Sequence, residues 1–181
     1  GRSGQTTGLN RVDKLDSTGL ISSGFDELAG LSSGRVVEFA SNSTHVWVAS
    51  TFDSNSFFAT SILQGEILLN GSVRWEYGYN LLDDDIINSM YLDGDTLWVT
   101  TAGRGLYSID LLQRSYSSTS PALHGQMDGM ILDDDDGMLY VGLMGNQGSA
   151  AGFQTFDTTT GNWGDGSLLA GLPNDIVKDF V

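Results

Sequence analysis

The sequence has no cysteine. Disulfides, thiolate zinc sites and a cysteine nucleophile are therefore excluded. Basic residues are almost as scarce. Lys and Arg together number 8 against 23 Asp and Glu, a formal net charge of −15. Lys14 and Lys178 are the only lysines, and Glu27, Glu38, Glu66 and Glu76 the only glutamates, so the acid is overwhelmingly aspartate. A chain this anionic has no cationic surface with which to release counterions from nucleic acid, and none to hold anionic lipid. With His45 and His124 the only histidines, a His-rich metal centre is not expected. No run of 18 apolar residues offers a membrane-spanning helix, so membrane insertion is not expected. No signal peptide is visible and the first residue is Gly rather than Met, which reads as a processed chain or one cut from something longer.

What is present is enough for a core. The chain has 181 residues, 40% of them hydrophobic, too many for a solvated disordered polymer. Its main feature is internal repetition. Val46-Trp47-Val48 returns 51 positions later as Leu97-Trp98-Val99, and a leucine stands 16 positions before each tryptophan, Leu31 and Leu82. Val36 corresponds to Ile87 and Phe39 to Met90. A looser copy has Leu139-Tyr140-Val141-Gly142 preceded by Met127, Met130 and Leu132, with two extra residues in the turn before it. A fourth copy begins at Leu172-Pro173-Asn174-Asp175-Ile176 and stops. A second motif follows each of the last two complete copies: Gly105-Leu106-Tyr107-Ser108-Ile109-Asp110 and Gly152-Phe153-Gln154-Thr155-Phe156-Asp157. Gly8-Leu9-Asn10-Arg11-Val12-Asp13 matches them at the start of the chain. Apolar and polar residues alternate in each and end on Asp, the pattern of a half-buried strand entering a turn.

Repeats of this length holding only short strand-like runs predict an all-β fold, a β-propeller or a segment of one, with four antiparallel strands A to D in each blade. Asp93-Gly94, Asp136-Gly137 and Asn70-Gly71 supply hairpin turns. Residues 25–28 are the only helix candidate, of at most one turn. Residues 1–30 read as the end of a preceding blade, 31–80, 81–122 and 123–169 as whole blades, and 170–181 as the first strand of a next one. So few blades are short of a closed ring, and an open arc exposes sheet edges. The expectation is either a piece of a larger propeller protein or self-association into a ring or filament.

The string Leu82-Asp83-Asp84-Asp85-Ile86-Ile87-Asn88-Ser89-Met90, then Leu97-Trp98-Val99-Thr100-Thr101, then Gly105-Leu106-Tyr107-Ser108-Ile109-Asp110, resembles the two-component regulator propeller repeat. The first repeat keeps the tryptophan half with a long insert, and the third has Tyr140 in place of Trp. The resemblance implies periplasmic sensor regions or secreted and surface proteins, which bind something rather than convert it.

Trp47 and Trp98 read first as packing between blades, with ligand stacking second. Gly30-Leu31-Ser32-Ser33-Gly34 has the spacing of a nucleophile elbow, but it falls on an interblade turn rather than a strand-to-helix turn, so a hydrolase is not inferred. Asp133, Asp134, Asp135 and Asp136 form the acidic turn in which Ca²⁺ is conceivable, against the plainer reading of a solvated turn. Asp83, Asp84 and Asp85 belong to a D–A loop at the opposite end, the end where propellers usually bind ligands. The B–C loops 52–56, 102–105 and 144–149 share that end. There Arg104, a cation between glycines, suits a carboxylate or sugar-acid ligand, with a salt bridge to an acidic loop as the plainer reading. Asn146, His124 and Tyr79 are further ligand candidates. Asn42-Ser43-Thr44 and Asn70-Gly71-Ser72 are glycosylation sequons in predicted turns, meaningful if the protein is exported. The excess of Asp over Lys suits a salt-rich exterior.

These readings converge on a non-enzymatic, extracytoplasmic module that recognises a protein or carbohydrate-like ligand without a cofactor. A self-assembling surface or filament subunit is the first alternative, and a propeller lyase the second.

Overall fold

The structure, a computed structural model, describes residues 9–12, 21–25, 35–54, 57–83, 86–103, 105–119, 127–133, 136–143 and 152–168. Among them every regular element is a β-strand. The chain divides into two units, Gly1–Asp84 and Asp85–Val181.

In the first unit β1 (Leu9–Val12) pairs antiparallel with β2 (Ile21–Phe25). Phe25, read from sequence as the start of a helical turn, instead ends β2; residues 26–28 lie outside the described residues. A four-stranded antiparallel sheet follows in chain order: β3 (Arg35–Ser41), β4 (His45–Ser54), β5 (Phe57–Ile67) and β6 (Val73–Asp83). The alternation of β4 explains its place. Val46 and Val48 face one side and pack with Leu63, against which Ile67, Val73 and Trp75 lie; Trp47 and Ala49 face the other, and all four are buried. A segment buried on both faces belongs between layers, which is why residues 46–49 of β4 are apolar without a break.

The turns of this sheet are built by asparagine. Asn42 Oδ1 accepts the N–H groups of Thr44 and His45 at 2.9 and 2.8 Å, closing β3 onto β4. Asn70 Oδ1 accepts the N–H of Ser72 at 3.0 Å, and Gly71 takes φ 80° between β5 and β6. Gly65 on β5 is required for a different reason. A Cβ there would stand 2.9 Å from Trp75 Cε3 and closer still to Val73 Cγ1, so only hydrogen lets these side chains cross the strand.

The second unit holds two more sheets of the same construction. One is β7 (Ile87–Asp93), β8 (Thr96–Thr101), β9 (Leu106–Asp110) and β10 (Ser115–Thr119). The other is β11 (Met127–Asp133), β12 (Met138–Leu143), β13 (Gly152–Asp157) and β14 (Asn162–Leu168). Register shifts recur at corresponding repeat positions, between Val36 and Glu38, Ile87 and Ser89, and Met127 and Gly129. Each first strand therefore bends at the same point.

The aspartate that ends each second motif has a definite task. Asp110 Oδ1 accepts the N–H groups of Leu112 and Gln113 at 2.9 and 2.8 Å, and Asp157 Oδ1 those of Thr159 and Thr160 at 2.8 and 3.0 Å. Both close the third strand onto the fourth. The positive-φ residue four places on is Gly161 (φ 72°) in the last sheet and Arg114 (φ 54°) in the middle one.

The core of the second unit lies along the seam between its two sheets. Trp98 and Leu106 from the middle sheet pack with Leu139, Val141, Leu143 and Phe156 from the last. Phe156 is the hinge of an aromatic row, edge-on to Trp98 at 5.5 Å and to Trp163 at 5.0 Å between ring centroids. Trp163 Nε1 donates across the seam to Thr119 Oγ1 at 3.0 Å. A buried tryptophan in this seam is what the packing reading of Trp98 requires.

Candidate functional site

Of the ligand candidates named from sequence, Arg104, His124 and Asn146 lie outside the described residues, as does the Gly30 to Gly34 segment. The frame around Arg104 is described. The hydroxyl and the N–H of Thr101 both donate to Gly105 O, at 3.0 and 3.1 Å, and Gly105 has φ 100°. Ala102 N donates to Ile86 O at 2.9 Å. The described residues on either side of Arg104 are thus held by hydrogen bonds.

Tyr79 is placed differently from the expectation. Named as a ligand candidate on the loop-bearing face, it lies within β6, is 4% exposed, and donates its hydroxyl to Gln64 Oε1 at 3.2 Å. A side chain buried on a strand and turned to an interior partner is a core residue. The B–C loop expected over 52–56 is also shorter than read. β4 continues to Ser54 and pairs there with Phe57 of β5, because β-propensity carries through Thr51-Phe52 and Phe57-Phe58.

In the acidic turn, Asp133 ends β11 opposite Met138, and Asp134 and Asp135 lie outside the described residues. Asp136 is exposed, and its Oδ1 accepts the N–H of Met138 at 2.9 Å. Gly137 follows at φ 70°, so Asp136 is a turn-closing carboxylate like Asp110 and Asp157. Among the described residues no three acidic or His side chains converge as a metal would need.

The site that sequence reasoning missed is polar and lies beside Trp98. In the first sheet the register partner of Trp47 is Gln64, and Trp47 Nε1 donates to Gln64 Oε1 at 3.1 Å. The same oxygen takes the Tyr79 hydroxyl, so one carboxamide satisfies two buried donors. In the middle sheet the register partner of Trp98 is Ser108. Ser108 is too short to reach across; its Oγ pairs with Ser117 Oγ at 2.7 Å, and Trp98 Nε1 is left buried without a partner. A cleft of about 260 Å³ opens at this point, lined by Trp98, Ser108, Ser117, Thr119, Phe156 and Thr158. It is neutral, with hydroxyl side chains set against the rings of Trp98 and Phe156. The signal for it was present in the sequence, since the aligned third strands read Ile62-Leu63-Gln64 and Leu106-Tyr107-Ser108.

No family model matches the chain, and no curated protein matches it. Its fold is similar to that of the extracellular domain of a B. thetaiotaomicron protein described as a hybrid two component system. The TM-score is 0.54 at 14% identity, over 82% of this chain and 21% of that one. The chain has the fold of a β-propeller segment. The extracellular domain of a one component system from the same organism aligns with TM-score 0.45 and 17% identity, over 74% of this chain and 22% of that one. This propeller segment thus spans about a fifth of the length of either structure. The likeness agrees with the propeller repeat that the sequence resembles.

Proposed function

We propose that this propeller segment is a non-enzymatic, extracytoplasmic recognition module within a larger sensor or surface protein. The observation that carries the reading is the likeness of fold to an extracellular domain of a two component system, of which this chain covers only 21%. The composition supports it, since a surface with a net charge of −15 and no cysteine suits a salt-rich exterior and needs no redox control.

Ligand or partner contacts are assigned to the loops that join second to third strands and one sheet to the next, through Arg104, His124 and Asn146. Arg104 supplies a planar cation for a carboxylate or sugar acid. The test is a thermal-shift and calorimetric screen of the chain against glycan fragments, acidic sugars and candidate protein partners, with and without Ca²⁺. Saturable binding that falls at least tenfold in Arg104→Ala or Asn146→Ala supports the reading. Turnover of a polysaccharide or lactone overturns it in favour of a lyase. Light scattering on the same sample separates a 19.4 kDa species from a self-assembling subunit. A shift with Ca²⁺ that chelator reverses assigns the cation to the turn of Asp133, Asp134, Asp135 and Asp136.

A further inference from the structure

The chain contains two Asn-x-Ser/Thr sequons, and the structure places both at the same end of one sheet. In an antiparallel meander the first and third turns fall at one end and the second at the other. Asn42 is in the turn from β3 to β4, Asn70 in the turn from β5 to β6, and Ile67 N donates to Thr44 O at 2.7 Å, tying the two turns together. Asn42, Ser43, Thr44, Asn70 and Ser72 are all exposed.

The geometry within each sequon is the same. Thr44 Oγ1 donates to Asn42 Oδ1 at 3.0 Å, and Ser72 Oγ donates to Asn70 Oδ1 at 2.7 Å. The backbone N–H of the hydroxyl residue donates to the same oxygen, at 2.9 Å in the first and 3.0 Å in the second. Each of these side-chain bonds falls on the carboxamide oxygen. Donation to Oδ1 draws electron density from the amide and acidifies the protons of Nδ2, the reacting atom. The hydroxyl that defines a sequon is thus already in use, twice, on exposed turns. The remaining asparagines have no Ser or Thr two places on.

We infer that Asn42 and Asn70 are paired N-glycosylation sites, an inference that rests on the extracytoplasmic reading above. The donor is a polyprenyl-pyrophosphate-linked oligosaccharide. Nδ2 attacks the anomeric carbon, the bond from that carbon to the pyrophosphate oxygen breaks, and the lipid pyrophosphate leaves. The proton lost from Nδ2 passes to a base of the transferase. No electrons change hands.

The experiment is secretion of the chain from a host with N-glycosylation machinery, read by intact mass. Asn42→Asp and Asn70→Asp keep Oδ1 as the turn acceptor and remove Nδ2, so the fold is retained and only the acceptor is lost. The expected result is two glycan additions in the wild type, one in each single variant and none in the double. Peptide N-glycosidase then converts each modified Asn to Asp. Secreted protein of unmodified mass overturns the inference. If the host retains the chain, purified protein is given a single-subunit transferase and the lipid-linked donor beside an acceptor peptide. Modification of the peptide alone overturns it equally. Forced export keeps this result separate from the parent reading, which fails if the native protein fractionates with the cytoplasm.

Discussion

Trp98 and Ser108 are register partners across β8 and β9, yet the indole N–H of Trp98 is buried with nothing to donate to. The same two places in the first sheet hold Trp47 and Gln64, hydrogen-bonded at 3.1 Å. One shortened side chain separates a satisfied core from an unsatisfied one. Ser108→Gln restores the missing acceptor and is expected to stabilise the protein by about 1 kcal/mol, the net worth of a hydrogen bond to a buried donor. Urea unfolding measures it. A fall in stability would mean that the Ser108–Ser117 pair is worth more than the lost carboxamide.

The reciprocal change is costlier. Gln64→Ser strips the acceptor from both Trp47 and Tyr79 inside the core. A loss of about 2–4 kcal/mol is expected from two orphaned buried donors. The double variant Gln64→Ser with Tyr79→Phe should recover part of it, which separates the polar term from the cavity.

Gly65 has no space for a methyl group, because Val73 and Trp75 occupy it. Gly65→Ala is expected to cost about 1–3 kcal/mol through overpacking. Gly161→Ala makes the useful contrast: its Cβ would meet nothing within 4 Å, and only the φ of 72° opposes it. The cost there is about 1 kcal/mol. Arg114, at the matching place, already tolerates φ 54°. Calorimetric melting of the two variants should rank Gly65→Ala as the more damaging.

The carboxyl of Asp157 is held below its ordinary pKa, first by the backbone N–H of Thr160, then by the hydroxyl of Thr160 and the N–H of Thr159. A lowered folded-state pKa contributes stability that is present above the unfolded value and is lost as pH falls through the folded one. Carbon-13 NMR titration of the carboxyl should show this low midpoint in the folded protein. Asp157→Asn should remove that part of the acid sensitivity of the third-to-fourth strand turn. An Asp157 that titrates at the ordinary value would refute the turn's account.

Much of the architecture was legible because it follows from short-range rules. The unbroken apolar runs around Trp47 and Trp98 mark strands buried on both faces, and Asp93-Gly94, Asp136-Gly137 and Asn70-Gly71 mark turns whose glycines take positive φ. The repeated Asp at the end of each second motif was visible as a pattern, but its task, closing the next turn, appears only once the N–H groups it accepts are in place. Tyr79 shows where such reading stops. Its identity suits a ligand loop as well as a core, and the choice is made by Gln64, 15 positions away in sequence and in contact across β5 and β6.

The sequence by itself determined the strand periodicity, the repeat, the all-β class and, through the absence of cysteine, the exclusion of disulfide and thiolate-metal chemistry. Those depend on composition and on neighbours a few residues apart. Only the tertiary structure decided that the two sequons share one end of a sheet, that Tyr79 is interior, and that the N–H of Trp98 has no acceptor. Each of these depends on which strand lies beside which and in what register, and cross-strand register joins residues too far apart in the chain for local pattern to fix.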